Sequence, residues 1–153
     1  MGEAKRKRKA LEKNPRPCAI CGERDAVDYD HVPPRSIFAR PHSSNLITVP
    51  ACSECNQGAS QLDEQFKMYL GVAIGGHPTT AESDPASNFW GSAQRSILRN
   101  RPFLREIVNG EPVYMPDELG VWRETRAIHW PAESHDLTIE RIVRGLYWHH
   151  YEC

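Results

Sequence analysis

The chain reads as an α+β protein, with a zinc-bound unit of two short strands and a helix (ββα) followed by a mostly helical extension. Three observations predict this. Two Cys-x-x-Cys pairs, Cys18/Cys21 and Cys52/Cys55, flank a stretch long enough for a hairpin and a loop. Within that stretch lie two short strand-like segments bounded by proline and loop residues. Beyond residue 60, apolar residues recur at helical spacing instead.

Residues 1–16 read as a tail. Its basic run, Lys5-Arg6-Lys7-Arg8-Lys9, is either a solvated, disordered arm or an arm that touches phosphates. Residues 17–153 read as one domain, with a metal-bound core at 17–73 and a mainly helical extension at 74–153. In the core, residues 27–32 alternate like a strand that Pro33-Pro34 ends. Residues 40–44 read as loop and residues 46–49 as a second strand. A helix is expected from about Ser53. Leu62, Phe66, Tyr69, Leu70 and Ala73 mark its apolar face, with Asp63, Glu64 and Lys67 opposite.

In the extension, residues 75–83 read as loop, and Ser83-Asp84-Pro85 starts a helix that runs towards Arg99. Residues 102–108 suggest another short helix and Asn109-Gly110 a turn, with short strands at 112–114 and 121–122. Ile139, Ile142, Val143, Leu146, Tyr147 and His150 would line one face of a terminal helix beginning near Asp136. His150 on that face reads as a core histidine. Trp90, Trp122, Trp130 and Trp148 read as core or near-core residues.

With 39% hydrophobic and 25% charged residues in 153, composition is that of a soluble globular chain. No apolar run reaches the length of a membrane span, and the start lacks a signal peptide's apolar stretch, so a cytoplasmic location is expected. In that reducing compartment paired cysteines read as metal ligands, and Cys153 as an incidental thiol. A net charge of −1 argues against nucleic-acid binding through bulk positive charge. The distribution is uneven, however. Residues 1–60 carry ten Lys+Arg against seven Asp+Glu, and residues 61–153 carry nine against thirteen.

The chemistry is concentrated between and beside the cysteines. Four thiolates in two short knuckles, Cys18, Cys21, Cys52 and Cys55, suit a structural tetrahedral Zn²⁺ and leave no position open on it. Asp30-His31 pairs a carboxylate that can hold a hard divalent cation with an imidazole that can take a proton from water near neutral pH. Asn56, directly behind a zinc-bound cysteine, would be held firmly at a helix start with an amide oxygen suited to Mg²⁺. Asn45 enters a strand from a loop, where asparagine ordinarily bonds local backbone.

Taken together, C-A-I-C at 18–21, D-H-V-P-P at 30–34, N-L-I-T-V-P at 45–50 and C-S-E-C-N at 52–56 resemble the zinc-stapled form of the HNH endonucleases, the ββα-metal superfamily. The resemblance covers about a third of the chain. More loosely, residues 58–66 and 141–147 are similar to a bacterial HNH subgroup. The resemblance implies that His31 activates water, that Asp30 and Asn56 hold a catalytic Mg²⁺ or Mn²⁺, and that Asn45 orients the loop bearing His31. It implies DNA as the partner, with RNA left open, and no membrane partner. One departure stands out. Many members carry a lysine three residues after the third motif residue, and this chain has Ala59. That phosphate contact is therefore missing or falls to Arg35 or Arg40. The competing expectation is a non-catalytic zinc module that binds nucleic acid or a protein partner. A role in anti-phage defence or as a toxin is compatible with the same chemistry.

Overall fold

Two four-residue strands hold the centre of the amino-terminal half. Strand β1 (Asp28–His31) pairs antiparallel with β2 (Thr48–Ala51), so that Asp30 faces Val49 and His31 faces Thr48. Val49, Pro50 and Ala51 are buried, because β2 is covered by β1 and by helix α6 (Ala132–Tyr151). In the computed structural model the residues described are 2–38, 40–74, 85–117, 119–129 and 131–151. The expected loop at 75–83, the cap residues Ser83 and Asp84, Trp130 and Cys153 lie outside them.

Helix α2 (Ser53–Gln57) follows β2 directly, and after a break at Gly58 and Ala59 the chain continues as α3 (Ser60–Ile74). Helix α3 runs between α4 (Pro85–Arg99) and α6. Helix α5 (Arg101–Asn109) is capped by Asn100, whose side chain accepts the Phe103 N–H at 3.2 Å. Such caps contribute about 1 kcal/mol. A second two-stranded antiparallel sheet, β3 (Pro112–Pro116) with β4 (Trp122–Arg126), precedes α6. The fold is thus α+β with two small sheets. One cluster of buried residues joins Cys18, Ile20, Ala51 and Cys52, and a second joins Met68, Tyr69, Ile97 and Phe103. Among the described residues no helix is long and apolar enough to cross a membrane.

Several elements depart from the sequence-based expectation. The amino-terminal arm carries regular structure that the sequence did not announce. It forms helix α1 (Glu3–Lys13), which packs on β1 with Arg8 bonded to Asp28, while Lys7 donates to Thr48 Oγ1 on β2 at 3.3 Å and Leu11 is buried. With only one large apolar residue, its sequence carries no helical stripe to read. Helix α3 buries Lys67 as well as Phe66, Met68 and Tyr69. Flanked by neighbours on two sides, it has little solvent face, and Lys67 is answered by Glu64 at 3.0 Å.

Helix α6 begins earlier than expected, at Ala132, and its inner face is rotated. Thr138, Arg141 and Gly145 are buried there, whereas Ile139, Val143, Tyr147 and His150 are exposed. Polar residues point inward because partners await them: Thr138 bonds the Ser134 carbonyl at 3.0 Å, and Arg141 meets two aspartates. His150 is therefore no core histidine. Trp122 is 68% exposed on β4, and Trp90 and Trp148 are half-buried.

Gly145 fixes how closely α6 approaches the strand bearing His31. A Cβ placed there would lie 2.7 Å and 2.9 Å from the two γ-carbons of Val32, itself fully buried. Val32 is β-branched and stiff at χ1, and its burial leaves it little room to give way. Gly145→Ala should therefore cost about 1–3 kcal/mol despite the gain in helix propensity. Equilibrium urea unfolding checks this, and a more stable variant would contradict the packing.

Candidate functional site

The two Cys-x-x-Cys pairs are held by different local devices. Cys18 lies in a turn whose N–H bonds the Arg24 carbonyl at 2.7 Å, and Gly22 closes the turn with φ +72°, where only glycine is unstrained. Ala19 donates to the Pro50 carbonyl at 2.9 Å, which ties this knuckle to β2. Cys52 follows β2 and caps α2, its Sγ facing the Cys55 N–H at 3.5 Å. The four cysteines form no disulfide, and their sulfurs all lie within 4.8 Å of one another. A tetrahedral zinc with bonds of about 2.3 Å sets its sulfurs roughly 3.8 Å apart, so the cluster could hold one such metal ion.

The thiols' acidity points the same way. Burial resists ionisation at Cys21, but the backbone N–H groups of Glu23 and Arg24, together with the thiols of Cys18 and Cys55, outweigh it and draw the thiol down to about 6. Burial and the neighbouring sulfurs push Cys55 up to about 12. Four adjacent sulfurs cannot all carry charge without a cation among them.

Asp30 and His31 occupy consecutive positions of β1 and serve different surroundings. His31 lines a cleft of about 450 Å³ together with Lys7, Tyr29, Arg35, His42 and Thr48. Burial comes first, and the positive charges of Arg35, Lys7 and His42 add to it, in holding the imidazole below its ordinary pKa. A neutral, proton-accepting ring is thereby favoured at neutral pH. Asp30 meets α6 instead. Its Oδ1 accepts the His31 N–H at 2.8 Å, and its Oδ2 lies 3.3 Å from the Arg141 guanidinium. Burial raises its pKa, and Arg141 opposes the rise. Arg141, only 7% exposed, is gripped more tightly by Asp63 through two bonds of 2.7 and 3.0 Å.

No family model, curated protein or solved structure matches the chain.

The remaining sequence candidates are not all gathered into one place. Asn56 is half-buried on α2, which packs against β1, so Asn56 and Asp30 stand on adjoining elements. Asn45 is exposed and its bonds are local, its N–H to Ser43 Oγ and its Oδ1 from Ser44 Oγ. This is the turn role that asparagine ordinarily plays. Arg35 lines the His31 cleft, whereas Arg40 lines a neighbouring one shared with Arg35, His42 and Lys67. Asp63, Arg141 and Lys7 adjoin these candidates without being among them. Sequence pattern places Asp63 on a solvated face and Lys7 in a basic arm that is either solvated or touches phosphates, and nothing in the spacing ties residue 141 to residue 30.

Proposed function

We propose that the chain is a metal-dependent endonuclease of HNH type that hydrolyses DNA phosphodiester bonds, with zinc in the four-cysteine cluster as a structural clamp. The observation that carries this is the placement of His31 in a cleft lined mostly by basic residues, with its imidazole pKa held below the ordinary value, on a strand paired with the one that leads into the second cysteine pair. A base must be unprotonated to act, and a phosphodiester carries negative charge. The cleft answers both needs. In this reading His31 accepts the proton of the attacking water, and Thr48, opposite it on β2, helps shape the wall.

Asp30 and Asn56 would hold the Mg²⁺ or Mn²⁺. The donor chemistry fits, since Arg141 is anchored on Asp63 and only touches one oxygen of Asp30, leaving that carboxylate lone pairs for a cation. When bound, such an ion supplies charge stabilisation at the scissile phosphate and the leaving oxygen. The contact between Arg141 and Asp30, with Asn45 turned to solvent, also favours a second reading as a non-catalytic zinc module.

Supercoiled plasmid incubated with the purified protein and Mg²⁺ or Mn²⁺ separates the two readings. Conversion to nicked or linear form supports catalysis, and unchanged plasmid under both ions supports the binding module. Asn56→Ala should weaken metal affinity most, so raising Mg²⁺ or Mn²⁺ should restore part of the cleavage rate. Loss of activity that no metal concentration restores would remove Asn56 from the metal site.

The pH dependence follows from the direction of the His31 shift. A base with a depressed pKa is deprotonated at lower pH, so activity should rise with pH and reach its half-point below about 6.5. Removing the positive charge that depresses it most, with Arg35→Met, should move that half-point upward. A half-point above about 7 in the unaltered protein would contradict the assignment.

A further inference from the structure

We propose that Lys7 of the amino-terminal helix, together with Arg35 and His42, forms the phosphate-binding subsite of the His31 cleft. This rests on the phosphodiester reading of that cleft and gives the subsite its residues. The side chains lining the cleft that can carry charge are all basic except Asp28, and Arg8 is bonded to that carboxylate. Lys7 is held in place by two contacts on opposite strands. Its Nζ donates to Thr48 Oγ1 at 3.3 Å and lies 5.5 Å from the centre of the Tyr29 ring. Helix α1 is itself pinned by buried Leu11, so the ammonium does not need to be ordered when a ligand arrives.

Arg35 approaches from the short 3-10 turn Arg35–Ile37 that follows β1, and His42 from the loop before β2. The hydroxyls of Ser43 and Ser44 line the same opening and can donate to an anion's oxygens. Three elements thus bring cations and hydroxyl donors to one concave surface beside His31. A tetrahedral oxyanion bearing several acceptors is the ligand class that such a surface fits, and a phosphodiester group is that class in nucleic acid.

This changes the part played by the basic run. Lys5, Arg6 and Lys9 are exposed on α1 and do not line the cleft. Lys7 alone of the run does, which makes it a substrate-binding residue rather than one charge among five.

The test begins with inorganic phosphate titrated into the zinc-bound protein without added divalent cation and followed by backbone amide shifts. Saturable shifts are expected at Tyr29, Ser43, Ser44 and Thr48. Lys7→Met should weaken the affinity about tenfold, the loss of one charge-assisted hydrogen bond, and Lys7→Arg should restore most of it. Lys13→Met, on the same helix and exposed, should leave it unchanged. A second arm measures duplex DNA affinity against salt, where Lys7→Met should reduce the logarithmic slope by about 0.9. Zinc content and melting of each variant, compared with the parent, establish that the fold is intact.

Absence of phosphate-induced shifts at these residues, or equal phosphate affinity in Lys7→Met and the parent, would overturn the subsite. The two readings fail separately. Lys7-dependent phosphate binding in a protein that cuts no DNA would uphold the subsite and remove the nuclease. Undiminished cleavage and phosphate binding in Lys7→Met would do the reverse.

Discussion

His31→Ala should fold, retain its zinc and bind DNA as the parent does, yet lose cleavage by about 10²- to 10⁴-fold, the usual contribution of a positioned general base. The separation follows from geometry. His31 is half-buried in the cleft, supplies no sulfur to the cysteine cluster, and is tied to the fold by backbone bonds. The strand pairing with Thr48 uses the main chain and survives truncation of the ring. The phosphate contacts assigned to Lys7 and Arg35 remain, so ground-state binding should change little while the chemical step slows. The measurement is single-turnover plasmid nicking alongside elemental analysis and a binding isotherm. A variant that cuts as fast as the parent, with contaminating nuclease excluded by an independent preparation, would sink the catalytic assignment of His31.

Cys52→Ser should have the largest effect on stability. Cys52 is buried, follows β2, caps α2 and contributes one of the four converging sulfurs. Structural zinc in small peptides contributes apparent binding energies of about 10–16 kcal/mol, comparable with the whole net stability of a domain. Weakening that site should leave the first knuckle, Ile20 and Ala51 with too small an apolar cluster to hold together. Zinc content should fall well below one ion per chain, and the thermal transition should broaden or vanish. A cobalt-substituted parent should show thiolate charge-transfer bands that the variant lacks. A Cys52→Ser protein that melts with the parent's midpoint would show that the cluster is not a metal clamp.

Which parts of this were legible in the sequence follows from the range of the interactions that decide them. The helices at 60–74, 85–99 and 101–109 follow local signals, apolar spacing and a first-turn proline, although the first was expected to begin at about Ser53; of the hairpin at 112–126 only short strands at 112–114 and 121–122 were legible. The cysteine cluster was legible because a tetrahedral site needs four donors, and two short knuckles advertise them. What could not be read depends on contacts across long separations. The inner face of α6 is polar where an apolar pattern pointed elsewhere, since Arg141 answers Asp63 and Asp30, 78 and 111 residues away. Periodicity counts one buried face and so places Lys67 in solvent, whereas α3 is packed on two. Helix α1 escaped notice for the opposite reason. A run of cations with a single large apolar residue forms no stripe, and its order comes from Leu11 and from partners on β1 and β2.

The bridge made by Arg141 also sets an order of events during synthesis. Asp30 and Asp63 are both made early, and each needs the guanidinium to offset the desolvation of a carboxylate in that setting. At about 5–20 residues per second, the 78 residues that separate Asp63 from Arg141 take roughly 4–16 seconds to translate. During that interval the cysteine knuckles and the β1–β2 pair can assemble, because all their parts precede Asp63 in the chain and leave the ribosome before Arg141 does. The two aspartates cannot settle into their final places, and the β1 end that presents His31 lacks its cover from α6. A growing chain can therefore acquire its metal clamp seconds before it acquires a finished site, and cleavage competence should appear only after α6 has docked. Arrested nascent chains ending before and after residue 141 would resolve the two stages.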